Sequence, residues 1–183
     1  TFERYSSLFP KENIFVATNQ QYREIVKEQI EIDDKNILCE PARKNTASCI
    51  AYATYHIGNL SPESVLVFAP CDHLILRKEA FCTAVDKAIS FAETHDALLT
   101  IGIKPTRPET GYGYIQISDH TEDGVNKVKT FTEKPNRELA EIFVESGEFF
   151  WNSGIFIWRN SVIKNALQRY IPEITSRFEE VKV

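Results

Sequence analysis

The sequence lacks the features that mark several large classes of protein. None of its apolar runs approaches the roughly 20 residues that cross a bilayer, and Thr1–Pro10 does not have the basic-then-apolar layout of a secretory signal. We therefore expect a soluble protein with no membrane partner. Its 21 Lys and Arg and 26 Asp and Glu give a net charge of -5 without blocks of one sign, so nucleic acid is not an expected partner either.

Cysteine and histidine are too few and too scattered to suggest a metal site. The four cysteines include no C-x-x-C pair, and three of them fall in apolar stretches, where cysteine behaves as a small core residue. This usage predicts a reducing, cytoplasmic compartment. The four histidines do not have metal-ligand spacing, which argues against structural zinc.

What the chain does contain is the alternation of strands and helices. Its 183 residues, 43% of them apolar, are enough for one globular domain with a real core. Four apolar runs are predicted to be strands, and each of the first three is followed by a segment of helical length: Ile14–Thr18, Ile37–Cys39, Val65–Ala69 and Ala97–Ile103. The pattern predicts an α/β fold with a doubly wound, mostly parallel sheet and helices on both faces.

The pattern changes after residue 105, where prolines and glycines precede alternating strand residues. A turn at Asp123-Gly124 and a strand over Val125–Thr132 predict an antiparallel insertion. The remaining elements are a helix from Asn136 to about Ser146, a strand over Phe149–Trp158 and a helix from Asn160 to about Tyr170.

The first candidate segment, E-P-A-R-K-N-T-A, follows the second strand. Ligands of open α/β sheets bind beyond the carboxyl ends of the strands, and Asn45 or Thr46 can cap a helix whose N-terminus favours an anion. Arg43 and Lys44 either help to bind that ligand or are exposed residues near the start of the helix with no role in binding. Both interpretations remain open.

The second candidate is Asp72 in P-C-D-H, directly after the third strand. A carboxylate at a strand end can hold a divalent ion against phosphate oxygens. It can equally be a helix cap or a turn residue.

The third candidate is P-E-T-G-Y-G-Y, in which Gly111 and Gly113 flank Tyr112. Glycines let backbone amides approach a ligand closely. The alternative is that they mark the bulged entry to a strand.

Two further segments, F-T-E-K-P and F-W-N-S-G, interrupt strand patterns with polar residues. Glu133 and Asn152 can accept from and donate to sugar hydroxyls, while Lys134 can neutralise a phosphate. The alternatives are an exposed Glu-Lys pair in the first segment and a bulge in the second.

Taken in order, E-P-x-x-[RK]-N-T-A, P-x-D-H, P-E-T-G-Y-G-Y-I, F-x-E-K-P and W-N-S-G-I-F resemble bacterial mannose-1-phosphate guanylyltransferases over almost the entire chain. The resemblance implies a Rossmann-like nucleotidyltransferase fold. It also implies a reaction in which mannose 1-phosphate attacks the α-phosphorus of GTP, giving GDP-mannose and pyrophosphate. Such chemistry depends on alignment and charge neutralisation and requires no protein nucleophile.

The resemblance also assigns roles to individual residues. Asp72 would bind Mg²⁺, and Asp72 and Lys134 would be the catalytic residues, with Lys134 on the sugar phosphate. Glu133 and Asn152 would contact the hexose, the Gly111–Tyr114 loop would cover it, and Arg43–Thr46 would lie near the guanine. We expect Asp72, Glu133, Lys134 and Asn152 to gather around one hexose-phosphate pocket.

The family's glycine-rich triphosphate loop and a second metal-binding aspartate have no counterpart in the sequence. We therefore expect a partial nucleotidyltransferase domain that is truncated at both ends relative to the family. By itself it should have little or no catalytic activity. Homo-oligomerisation is left open. Three alternatives remain. They are a uridylyl- or thymidylyltransferase for glucose 1-phosphate, a non-catalytic nucleotide-sugar-binding module, and a folded fragment without ligand affinity.

Overall fold

The computed structural model describes residues 1–40 and 45–181, which divide into two compact units. The first unit holds the described residues of Thr1–Leu66, Pro70–Lys78 and Arg159–Val183. The second consists of Val67–Ala69 and Glu79–Trp158. The expectation of a single domain stays a prediction.

Seven α-helices and seven strands lie in the described part of the chain. The helices are α1 (Phe2–Ser6), α2 (Arg23–Gln29), α3 (Asn45–Leu60), α4 (Lys78–Thr94), α5 (Arg137–Ser146), α6 (Asn160–Tyr170) and α7 (Pro172–Val181). The strands are β1 (Val16–Asn19), β2 (Ile37–Glu40), β3 (Val65–Phe68), β4 (Leu99–Ile103), β5 (Tyr114–Glu122), β6 (Val125–Thr132) and β7 (Phe149–Arg159). Among residues 1–40 and 45–181, none of the helices combines the length and apolar character that spanning a bilayer requires.

The first unit is organised around α3. The helix packs against α6 and α7, and the buried Asn160 of α6 donates from Nδ2 to the carbonyl oxygen of Thr54 at 2.9 Å. A Cβ atom on Gly58 would lie only 2.8 Å from Oδ1 of Asn160. The close approach of α6 to α3 therefore depends on a glycine at position 58. In the same unit β1 and β2 pair in parallel.

The second unit contains most of a five-stranded sheet with the order β3-β7-β5-β6, in which β4 also pairs with β7. β4 and β5 both run antiparallel to β7, and β5 and β6 form an antiparallel hairpin. Asp123 and Gly124 at the hairpin turn have φ values of 47° and 70°, as a two-residue turn of type I′ requires. The buried rings of Phe143 and Phe149 stack at 3.8 Å between centroids and form part of the core of this unit.

The predicted α/β fold class is confirmed, with both parallel and antiparallel pairs. Every predicted strand is present, and all but one lie within about two residues of their expected bounds, as is usual for element ends. The exception is β5, which was predicted to end at Ile117 and continues to Glu122. Antiparallel pairing reaches beyond the predicted insertion, because β7 returns against β4. Neither α1 nor α7 was predicted from the sequence, and α7 begins at Pro172. Proline is well tolerated as the first residue of a helix, where its missing N–H is not needed.

Candidate functional site

Gly113 is the point at which three separate motifs of the second unit meet. Its carbonyl oxygen accepts a 2.8 Å hydrogen bond from the backbone N–H of Asn152. A Cβ atom on Gly113 would lie 2.9 Å from Oε2 of Glu133 and 3.3 Å from the ring of Phe131. The absence of a side chain at Gly113, the predicted strand-entry glycine, therefore makes room for the carboxylate of Glu133, which any side chain here would displace.

The side chain of Asn152 is held from two directions. Its Oδ1 accepts from the hydroxyl of Thr100 at 2.9 Å and from the backbone N–H of Gly154 at 3.1 Å. Asn152 is half-buried, and it lies in a strand whose register to β4 is interrupted at this point. The bulge that the sequence left as an alternative for W-N-S-G is thus present, and it contains the predicted site residue.

Glu133 and Lys134 form an ion pair on the surface of the same unit. Lys134 Nζ lies 3.5 Å from Glu133 Oε1, and the side chains of Lys134 and Glu133 are 62% and 63% exposed. Such an exposed pair contributes little to stability. Lys134 nevertheless adopts a left-handed backbone conformation with φ of 44°. In a residue other than glycine this conformation raises the free energy of the folded backbone. Strain of this kind is concentrated at functional sites.

An aromatic surface adjoins Asn152 in the sequence and in space. The ring of Tyr112 meets the buried Trp151 edge-on at 5.4 Å, and the guanidinium carbon of Arg107 lies 5.5 Å from the centroid of the same indole. Tyr112 remains 45% exposed. The half-exposed phenol can therefore contact a ligand while its inner edge is supported by Trp151.

Glu109 shapes the loop that carries Gly111 and Tyr112. One of its oxygens accepts from the backbone N–H of Gly111 at 3.2 Å, and the other accepts from Nη2 of Arg107 at 3.1 Å. The Gly111 hydrogen bond and then the Arg107 guanidinium lower the pKa of Glu109 below its usual value of 4.5. An ionised Glu109 thus ties the start of the loop to its tip.

Asp72 lies in the first unit, in an exposed turn. The backbone is anchored to α1 on both sides of it: the Thr1 hydroxyl donates to the carbonyl of Cys71 at 2.6 Å, and Arg4 donates to the carbonyl of His73 at 3.0 Å. The two hydrogen bonds fix the turn but leave the carboxylate of Asp72 facing solvent.

The donor set at Asp72 is a single carboxylate. Residues 1–40 and 45–181 contain no cluster of three or more His, Cys, Asp or Glu side chains able to hold a metal. A single exposed carboxylate fits Mg²⁺, which keeps most of its waters and is otherwise bound by substrate phosphates.

The segment after β2 is only partly covered by the structure. Arg43 and Lys44 lie outside the described residues. Asn45 and Thr46 are exposed at the start of α3, where Asn45 has φ of 67°. Their predicted contact with the nucleotide stays a prediction.

The second unit thus brings together four predicted sugar-side residues, Gly113, Glu133, Lys134 and Asn152, beside Tyr112. Asp72 belongs to the first unit, and its place in a common pocket stays a prediction. Sequence reasoning missed Thr100 and Arg107. The signal for Thr100 was one hydroxyl in the otherwise apolar run L-L-T-I-G-I, and Arg107 was a cation placed just before P-E-T-G.

A family model described as Nucleotidyl transferase matches residues 5–181. Among curated proteins, the chain is 40% identical over 181 residues to a putative mannose-1-phosphate guanylyltransferase of Vibrio cholerae, covering 98% of this chain and 38% of that protein. It is 42% identical over 178 residues to the mannose-1-phosphate guanylyltransferase of Escherichia coli K12, covering 92% of this chain and 37% of the relative. The chain therefore spans less than two fifths of the length of these relatives.

Two solved structures share the fold. One is a mannose-1-phosphate geranyltransferase from Thermus thermophilus, with a TM-score of 0.89 and 26% identity over 98% of this chain and 52% of that one. The other is a mannose-6-phosphate isomerase from Helicobacter pylori, with a TM-score of 0.82 and 33% identity over 98% of this chain and 68% of that one.

Proposed function

Because the nucleotidyl transferase model matches nearly the whole chain, the chain belongs to that family, and we propose that it acts in the transfer of GMP from GTP to mannose 1-phosphate. The products are GDP-mannose and pyrophosphate. The relatives named as mannose-1-phosphate guanylyltransferases support this choice of base and sugar. The observation that carries it in the structure is the meeting of Glu133 and Asn152 at Gly113.

The chemistry of that meeting point suits a hexose. Carboxylate oxygens accept hydrogen bonds and an amide nitrogen donates them. Glu133 and Asn152 therefore offer complementary partners to neighbouring sugar hydroxyls, and the exposed face of Tyr112 offers an apolar wall to the ring.

The reaction needs positioning more than it needs a protein nucleophile. A phosphate oxygen of mannose 1-phosphate forms a bond to the α-phosphorus of GTP, and the bond from that phosphorus to the pyrophosphate oxygen breaks. Within this scheme Glu133 and Asn152 hold the hexose in one orientation. The ammonium group of Lys134 offsets the negative charge of the sugar phosphate as a compact point charge.

We assign Asp72 to Mg²⁺ in the same proposal. When bound, the ion neutralises charge on the phosphates of the nucleotide. The carboxylate of Asp72 is exposed, and its turn is fixed by Thr1 and Arg4, so it can meet a hydrated ion without rearrangement of the backbone.

The remaining parts of the proposal concern the nucleotide and the setting. Arg43–Thr46 are assigned to the guanine side. The cytoplasm is the proposed location, since the four cysteines are free thiols in the structure and thiols stay reduced there. A homo-oligomer is compatible with the proposal and is not required by it.

Ligand-induced stabilisation tests the choice of ligand. A ligand at about one hundred times its dissociation constant raises the free energy of unfolding by roughly 2.7 kcal/mol. We expect GDP-mannose to raise the melting temperature of the chain more than UDP-glucose does, and Glu133→Gln to remove most of the difference. Glu138→Gln, an exposed carboxylate in the first turn of α5, is the control and should behave as wild type. A preference for UDP-glucose would contradict the proposal.

A further inference from the structure

The strand pairing around Asn152 contains an unusually large irregularity. Gly102 of β4 faces Asn152 of β7, and Thr100 faces Phe156. One β4 residue therefore lies opposite the three β7 residues 153–155. Gly154, in the middle of the excess, has φ of 72°, as the left-handed residue of a bulge does. The bulge leaves Asn152 at its rim.

The hydroxyl of Thr100 lies inside this bulge. It is 2.9 Å from Oδ1 of Asn152 and 2.9 Å from the carbonyl oxygen of Ile155. The backbone N–H of Gly154 also points at Oδ1 of Asn152, at 3.1 Å. The hydroxyl has a single hydrogen, which these two oxygens share, while the Gly154 N–H is a full donor to Oδ1. Both protein donors at the Asn152 amide therefore face its oxygen, and neither faces its nitrogen.

The orientation of the Asn152 amide follows from these contacts. The Gly154 N–H has to meet an oxygen, so Oδ1 faces the bulge and Nδ2 faces away from it. What Asn152 can offer to a ligand is a pair of N–H donors. Asn152 is only half-buried, so part of the residue remains in contact with solvent.

We propose that Thr100 is a positioning residue that locks the amide of Asn152 with both N–H donors directed at the ligand. The ligand group at this point must then be an oxygen acceptor, while the carboxylate of Glu133, on the other side of Gly113, takes a hydroxyl donor. Thr100 thereby fixes the division of roles between the two side chains: Asn152 donates to the ligand, and Glu133 accepts from it. The identification of the ligand as mannose 1-phosphate rests on the proposed function. The orientation of the Asn152 amide by Thr100 does not.

A purely structural role for Thr100 predicts a different experimental result. If Thr100 only held the bulge closed, its loss would lower the melting temperature without a specific effect on the Asn152 amide. The test therefore reads out the side-chain amide itself, by its two ¹H–¹⁵N signals in the ligand-free chain, together with the affinity for mannose 1-phosphate.

The variants are Thr100→Val, which removes the hydroxyl at nearly constant shape, and Thr100→Ser, which keeps it. Thr130→Val, an exposed threonine of β6, is the control. We expect Thr100→Val to shift or merge the two Asn152 amide signals and to weaken mannose 1-phosphate binding roughly tenfold, the effect of one lost hydrogen bond in this range. Thr100→Ser and Thr130→Val should match wild type in both readouts.

Two results would overturn the inference. One is a Thr100→Val chain whose Asn152 signals and affinity are those of wild type. The other is a folded Thr100→Ser chain with the loss expected of Thr100→Val, and this result decides the matter even if the valine variant does not fold. A wild-type chain that fails to bind mannose 1-phosphate, but whose Asn152 signals still respond to Thr100→Val, would refute the proposed ligand and leave the positioning role intact.

Discussion

The backbone N–H of Asn152 donates a 2.8 Å hydrogen bond to the carbonyl oxygen of Gly113. This one contact joins β7 to the loop that precedes β5, and it places the W-N-S-G and P-E-T-G-Y-G-Y segments side by side. Because Gly113 has no side chain, Glu133 can come up to the same point from the end of β6.

Gly113→Ala tests how much this meeting point depends on glycine. The added Cβ would lie 2.9 Å from Oε2 of Glu133, the free end of a flexible side chain. We expect the carboxylate to move aside, so that the melting temperature changes little while mannose 1-phosphate binds roughly tenfold more weakly, as on loss of one good hydrogen bond. Calorimetric titration measures the affinity. Thr130→Ala, at an exposed position of β6, is the control, and an equal loss of affinity there would contradict the prediction.

Lys134→Gly separates function from backbone strain. Glycine adopts positive φ without penalty, so the relief of strain at φ of 44° should offset the flexibility that glycine adds to the unfolded chain. Lys129→Gly, within β6, has no strain to relieve and should destabilise by about 1 kcal/mol. Urea denaturation should therefore rank Lys134→Gly as the more stable variant. Binding of mannose 1-phosphate should fall only in Lys134→Gly, and unchanged binding there would remove Lys134 from the site.

The loop around Glu109 should loosen only in acid. The Gly111 N–H and Arg107 lower the pKa of Glu109 below 4.5. A lowered folded-state pKa means that the stabilisation is complete above about pH 4.5, the usual value, and is lost as the pH falls through the lower folded-state value. The amide resonance of Gly111 should report this as a titration below pH 4.5 that Glu109→Gln abolishes. A Gly111 midpoint at or above that value would show that the two hydrogen bonds do not hold in solution.

Metal binding at Asp72 can be read out without turnover. Mn²⁺, which accepts the same oxygen ligands as Mg²⁺, should broaden the amide resonances of residues 71–73 selectively in the presence of GTP. Asp72→Asn should abolish the broadening, because an amide is a weaker ligand than a carboxylate for a hard cation. Asp86→Asn, an exposed aspartate of α4, should not. Broadening that survives in Asp72→Asn would place the ion elsewhere.

Local patterns in the sequence predicted most of the fold. The turn at Asp123-Gly124 and the strand Val125–Thr132 were found because a two-residue hairpin has strong turn chemistry. α5 was predicted to run from Asn136 to about Ser146; in the structure it spans Arg137–Ser146, and Asn136 caps it by accepting from the N–H of Leu139. The antiparallel pairing of β4 with β7 was not predictable in this way, since residues some fifty positions apart are paired by tertiary contacts.

For the candidate site, the sequence indicated residue types, and only the structure showed their geometry. Glu133 and Asn152 were identified because polar residues interrupt strand patterns there without structural need. Thr100 was missed because a threonine in an apolar strand is a normal β-residue, and its role depends on a bulge in another strand. The strain at Lys134 has no sequence signal, because nothing in F-T-E-K-P specifies a positive φ.

The most direct test of the account is a ¹H–¹⁵N titration of the chain with mannose 1-phosphate, with glucose 1-phosphate as the matched comparison. We predict saturable shifts at the backbone amides of Gly113, Glu133 and Lys134 and at the side-chain amide of Asn152, with tighter binding of the mannose compound. Shifts that are absent from these four residues, or that saturate equally well with glucose 1-phosphate, would contradict the assignment of this site to mannose 1-phosphate.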